Sequence, residues 1–174
     1  MKEFFCVKEV LNECVQNNPH HCIHNHYNTV WEHTALVIEA AKGFGNRLLE
    51  VVALLHDAGK PEAKVWNEAK KCDQFIGHAD VSRRIAEEIL NKEDFGFTNE
   101  EKEAILTLIE THEAVGGKKA IRKYYNRYGD YMTRLHLIFR YCDIQGQNPE
   151  FAGSKMTELE DAWKFYDELS EAEI

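Results

Sequence analysis

The chain has 174 residues, 44% of them hydrophobic and 29% charged, enough for one domain with a substantial core. Twenty-one basic against thirty acidic residues give a formal net charge of −9, which disfavours long nucleic acid, a ligand that needs many cationic contacts to phosphate. No apolar run approaches a bilayer span. The five cysteines (Cys6, Cys14, Cys22, Cys72 and Cys142) contain no CxxC pair, which fits free thiols in a reducing compartment rather than a disulfide frame or a thiolate zinc knuckle.

The opening stretch, MKEFFCVKEVLNECV, mixes acidic with apolar residues and has no cleavage site, so it predicts a helix over residues 3 to 16 and not a signal peptide. Its apolar face is Phe4, Val7, Val10, Leu11 and Cys14. With no bilayer span either, a cytoplasmic protein is expected. QNNPHHCIHNHYN then reads as a loop carrying His20, His21, His24 and His26, a solvated His-rich segment in preference to an extra metal site. His26 and Tyr27 are placed to line the mouth of a pocket. Asn28 or Thr29 can cap a helix from about Thr29 to Lys42, with Val30, Val37, Ile38 and Ala41 as its apolar stripe and His33 on that stripe.

The next helix, within LLEVVALLHDAGKP (Leu48 to Pro61), has almost no polar face, so it should run through the core. It ends in His56-Asp57 and is stopped by Gly59 and Pro61. A buried His beside a buried Asp is costly unless both are compensated, and a divalent cation accepts both as ligands. A connection of about 17 residues follows, Glu62 to His78, with Trp66 and Phe75 as apolar anchors. That length inside one domain points to a functional segment.

His78 opens a helix whose inward face is Val81, Ile85, Ala86, Ile89 and Leu90. Thr98 and Glu101 form a capping box for another, with Ile105, Leu108, Ile109 and His112 on one face. THEAVGG lacks the second His of HExxH, so no zincin motif is present. A further helix restarts at Gly116-Gly117-Lys118-Lys119 and ends around Gly129. Asp130 caps the one after it, with Leu135, Ile138, Phe139 and Cys142 inward and Asp143 close by. GQNP, Gly146 to Pro149, breaks the chain before a last amphipathic helix from about Met156 to Leu169. The expected fold is all-α: a single domain of about seven or eight helices, its core at about 27–149, with helices 3–16 and 156–169 packed on it.

His33, His56, Asp57, His78, His112 and Asp143 therefore all fall on inward faces. Imidazoles drawn from several helices, with acidic partners, are what a metal site within a bundle requires.

The order His33 … His56-Asp57 … Asp143, with HDAGK after an apolar helix, resembles the HD-domain metal-dependent phosphohydrolase superfamily. The pieces WEHT, LLHDAGKP and FIGHADVSRRIAEEIL are similar to the HD domain attached to bacterial CCA-adding tRNA nucleotidyltransferases, here expected to be free-standing. The resemblance covers about Tyr27 to Pro149. It implies His33, His56, Asp57 and Asp143 as ligands of a first metal, and His78 and His112 as holders of a second with Asp57 bridging.

Such ligands suit one or two divalent transition ions, Fe, Mn, Ni, Co or Zn, rather than an all-oxygen magnesium site. They would deliver an activated hydroxide to phosphorus. Asp57 and Lys60 are the expected catalytic residues. Lys60, Tyr27, Arg84 and Lys118 are the expected substrate contacts: Lys60 leads for phosphate, ahead of Arg83, Arg84 and Lys118, and Tyr27 is placed to stack on a base, with Trp31 read as core before stacking.

The expected activity is hydrolysis of nucleotides or similar small phosphoesters, as a phosphomonoesterase or 2′,3′-cyclic phosphodiesterase. A di-iron oxygenase of the inositol-oxygenase type and a non-catalytic nucleotide-binding regulatory module are the alternatives. The expected partner is a small phosphorylated molecule; neither a membrane nor long nucleic acid is expected.

Overall fold

A computed structural model describes residues 2–18, 28–114 and 117–171. Within them the chain forms α1 (Lys2–Glu13), β1 (Val15–Gln16), β2 (Asn28–Thr29), α2 (Val30–Lys42), α3 (Arg47–Leu55), a single turn α4 (Lys60–Ala63), β3 (Val65–Asn67), β4 (Cys72–Gln74), α5 (His78–Lys92), α6 (Asn99–Thr111), α7 (Gly117–Gln145) and α8 (Pro149–Glu171). The fold is all-α, as expected. The His-rich stretch, with Cys22 and Tyr27, lies outside the described residues.

Helix α3 is the axis of the molecule. Asn46 caps it by accepting from the Leu48 amide at 3.0 Å, and Leu48, Leu49, Val51, Val52, Ala53 and Leu55 are all buried. Around it pack Val7 and Leu11 of α1, Val30, Val37 and Ala41 of α2, Ala86, Ile89 and Leu90 of α5, Ile105, Leu108 and Ile109 of α6, and Leu135, Phe139 and Cys142 of α7. Two capping boxes fix where the outer helices begin. Thr29 and Glu32 exchange bonds of 2.8 and 3.2 Å at the start of α2, and Thr98 and Glu101 repeat the pattern at α6. A second apolar cluster, Ile121, Tyr125, Leu137 and Ile144 against Leu159, Ala162, Phe165 and Tyr166, seats α8 on α7.

The structure departs from the sequence expectations in four places. Glu62 to His78 is no bare loop: β3 and β4 pair antiparallel as a short hairpin, Val65 opposite Gln74 and Asn67 opposite Cys72. Phe75 anchors it in the core, whereas Trp66 is 43% exposed. Pro61 does not stop a helix but lies in the first turn of α4, where its missing N–H costs nothing. Helix α8 starts at Pro149 by the same logic, earlier than the expected Met156. Val10, placed on the buried face of α1, is 44% exposed. The expected break at Gly129 is present as a kink within α7, where φ is +79° and ψ 179°. No helix among the described residues is long and apolar enough to cross a membrane.

Gly59 is required by space rather than by backbone angle. A Cβ there would meet the His78 carbonyl oxygen at 2.5 Å and the Ser82 nitrogen at 2.6 Å, and the Gly59 amide donates to Ser82 Oγ at 2.8 Å. The turn after α3 is thereby pressed onto the first turn of α5. Gly59→Ala is expected to destabilise the fold by about 2 kcal/mol through this overpacking. Gly153→Ala, in α8 with nothing within 4 Å of the added methyl, should stabilise by about 0.5–1 kcal/mol through helix propensity. Urea unfolding of both variants checks the opposite signs.

His136 of α7 is buried, and among the described residues neither ring nitrogen has a hydrogen-bond partner. Its ring stacks at a tilt on Tyr124, centroids 4.5 Å apart. Burial, and then the charges of Arg140 and His112, push its pKa down from 6.5 to about 3. Below pH 6.5 the unfolded chain takes up a proton that the folded one refuses, so stability falls as pH drops from 6.5 towards 3, by roughly 1.4 kcal/mol per pH unit for this one site. Replacing His136 with Leu is expected to shallow that slope between pH 6 and 4, read by urea unfolding across the window.

Candidate metal centre

Four helices and the turn after α3 bring the expected ligands together. His33 comes from the first turns of α2, His56 caps the C-terminus of α3 and Asp57 follows it. His78 is the first residue of α5, His112 caps the C-terminus of α6, and Asp143 stands in the last turn of α7. All six are buried. His33, His56 and Asp57 place one ligand atom each within 4.8 Å of one another, as do Asp57, His78 and His112. The groups share Asp57. Its Oδ2 lies 3.5 Å from His33 Nε2 and 3.3 Å from His56 Nε2, and its Oδ1 lies 3.2 Å from His78 Nε2 and 4.0 Å from His112 Nε2. Asp143 Oδ1 completes the first group at 3.2 Å from His33 Nε2 and 3.9 Å from His56 Nε2.

Every imidazole is held the same way. Nδ1 of His33 faces the Gly146 carbonyl at 2.9 Å, that of His56 the Ala53 carbonyl at 2.9 Å, that of His78 the Phe75 carbonyl at 2.8 Å, and that of His112 the Ile109 carbonyl at 2.6 Å. A carbonyl only accepts, so each Nδ1 carries the proton and donates it, and in the neutral ring each Nε2 is left with a lone pair. These lone pairs point at one another: Nε2 of His33 and His56 are 3.2 Å apart, and those of His78 and His112 are 3.1 Å apart. Two acceptors at that distance repel unless a cation or proton lies between them. This is the donor set and outer-shell support that a transition metal takes.

The charges agree. Burial opposes ionisation of Asp57, yet His56 and Lys60 hold its carboxyl well below the usual carboxylate range. Asp143 is likewise lowered, against burial, by the hydrogen bond and charge of His33 and by Arg140. Burial works against charge on His56, but Asp57 and Asp143 raise its pKa above the ordinary value. Burial, together with His56, pushes His112 down to about 3 and keeps it neutral. Gly146 gives His33 its place, since a Cβ there would lie 2.7 Å from the ring's Nδ1.

The centre opens into a cavity of about 680 Å³ walled by Asn18, the hairpin strand β4, Phe75, Gly77 and the ends of α6, α7 and α8. Lys60, the expected phosphate contact, is buried, with Nζ 2.7 Å from Asp57 Oδ2 but out of hydrogen-bond alignment, leaving that oxygen without a hydrogen-bond partner among the described residues. Arg84 and Lys118, expected as substrate contacts, do not line this cavity. Arg84 pairs with Glu62 at 2.7 Å and Glu88 at 3.3 Å on the outer face of α5. Lys118 lies over the Phe165 ring in a separate hollow. Arg83 pairs with Glu103 and Glu110, and Trp31 is half-buried against the core.

Three cavity residues escaped the sequence reading. Arg140 donates to Asp143 Oδ2 at 2.9 Å, Gln147 donates to the same oxygen at 3.0 Å, and the Lys155 ammonium donates to Gln147 Oε1. Arg140 was findable, since it stands three residues before Asp143 on one helix face. Gln147 lay hidden in GQNP, and nothing in the sequence near Lys155 distinguishes it from Lys164, the other lysine of α8.

No curated protein and no solved structure matches the chain. A model of one family, described as the HD domain, matches residues 30–144, a span that contains all six of the convergent histidines and aspartates. The chain belongs to the HD-domain family of metal-dependent phosphohydrolases.

Proposed function

We propose that this protein hydrolyses nucleotides or similar small phosphoesters, as a phosphomonoesterase or 2′,3′-cyclic phosphodiesterase, with two divalent transition ions. The first would be held by His33, His56, Asp57 and Asp143, and the second by His78 and His112, with Asp57 shared. The observation that supports this reading is the facing of the four Nε2 lone pairs across one carboxylate. Ions bound there would supply a Lewis acid and a water of lowered pKa.

The chain's own residues suit the rest of the task. Lys60, buried beside Asp57 and 5.3 Å over the Phe75 ring, offers an ammonium to phosphoryl oxygens. Arg140 and Gln147 fix Asp143 from outside, which keeps its other oxygen turned to His33. The cavity is of the size that nucleotides and similar ligands occupy. Ile76, 84% exposed at its edge, gives a base or other apolar group a surface to rest on. The likeness of WEHT and LLHDAGKP to the HD domain attached to bacterial CCA-adding enzymes supports a nucleotide in preference to another phosphoester. We read the protein as cytoplasmic.

Purified protein loaded with Mn, Co, Ni or Fe should release phosphate from, or open the ring of, members of a nucleotide panel. Asp57→Ala is expected to lower turnover at least a hundredfold and to strip both ions, while His136→Leu retains metal and turnover. Loss of metal from both variants alike, or no turnover by the loaded wild type on any nucleotide, speaks against the assignment.

His78→Ala and His112→Ala should each leave one ion per chain where the wild type carries two, by elemental analysis. Retention of two ions in both variants would place the second ion elsewhere.

A further inference from the structure

Lys155 has no obvious purpose in the metal centre, yet it is built into the same cavity from α8, outside the segment 30–144 that the family shares. It is half-buried, and among the described residues no carboxylate stands within ion-pair distance of its ammonium. Its neighbour is an amide: Nζ donates to Gln147 Oε1, and the Gln147 Nε2 in turn donates to Asp143 Oδ2 at 3.0 Å. The lysine is thus aimed by a two-step chain that begins at a candidate metal ligand.

The other two cations on this side of the cavity are already committed. Lys60 sits on Asp57 at 2.7 Å, and Arg140 on Asp143 at 2.9 Å. Burial and then Arg140 lower the Lys155 pKa, with Lys60 acting the same way and Asp143 and Glu158 offsetting part of the effect, so the free protein holds the ammonium there at a cost. An anion entering the cavity would relieve that cost. A single phosphoryl group engaged by the metal centre and Lys60 would leave the Lys155 charge unanswered.

We infer that Lys155, aimed by Gln147, forms a second anion subsite beside the metal centre, and that the preferred substrate is a small phosphoester carrying two phosphoryl groups. One is hydrolysed and the other is held by Lys155. The inference rests on the hydrolase reading above for the word substrate, and on the cavity alone for the word subsite.

The test compares adenosine 5′-monophosphate with adenosine 3′,5′-bisphosphate on the metal-loaded wild type and on Lys155→Ala and Lys155→Arg. The wild type is expected to show a KM at least tenfold lower for the bisphosphate. Lys155→Ala should remove that difference by raising the bisphosphate KM about tenfold, with the monophosphate KM, kcat and metal content within twofold of wild type, and Lys155→Arg should restore most of it. Equal losses on both nucleotides, or no preference in the wild type, overturn the subsite.

If neither nucleotide is turned over, the hydrolase reading fails on its own. Calorimetric titration of the same nucleotides into the same loaded proteins then reads the subsite directly. Tighter bisphosphate binding that Lys155→Ala abolishes supports it, and equal affinities overturn it.

Discussion

Four imidazoles cannot be buried lone pair to lone pair without a cation or proton between them, and that constraint organises this molecule. Each ring is locked through Nδ1 to a main-chain carbonyl, three of them the carbonyl three residues back in the same chain segment. The lock is therefore local and forms with the helix end or turn itself. What the tertiary fold adds is the convergence of these ends on Asp57, whose two oxygens each address a different pair of rings. Remove the central charge and the pairs have nothing to face but each other.

The packing supports that convergence at its tightest places. Gly59 lets the turn carrying Asp57 touch the first turn of α5, which carries His78. Gly146 lets the end of α7, carrying Asp143, lie against His33. Both glycines act through absent bulk, and both join two ligand-bearing elements. Helix α3, buried nearly all round, supplies the rigid floor from which His56 and Asp57 project. The capped starts of α2 and α6 set the register of His33 and His112 on their own helices.

Much of this was legible from the residues. Helical spacing put His33 and His112 on buried faces, the apolar run of α3 put His56-Asp57 in the core, and Gly77-His78 announced a helix start. The hairpin was not legible, because VWN and CDQ, at three residues each, are too short to show strand alternation. The cations separated poorly for a related reason: charge on a helix says nothing about which carboxylate will answer it. Arg84 found Glu62 and Glu88 outside, whereas Lys60 and Arg140 turned inward to Asp57 and Asp143. Proline misled twice, at Pro61 and Pro149, where a residue that ends helices from within begins them at the first turn.

Three helices, α3, α6 and α7, terminate where the ligands meet, at His56, at His112 and just past Asp143. The carboxyl end of a helix carries the equivalent of about half a negative charge, so three such ends outweigh the one amino end that α5 opens at His78, and the backbone itself makes this spot electronegative before any side chain is counted. A positively charged guest is thus drawn to the locus by peptide dipoles that no point substitution removes. Variants stripped of one imidazole still retain that background attraction.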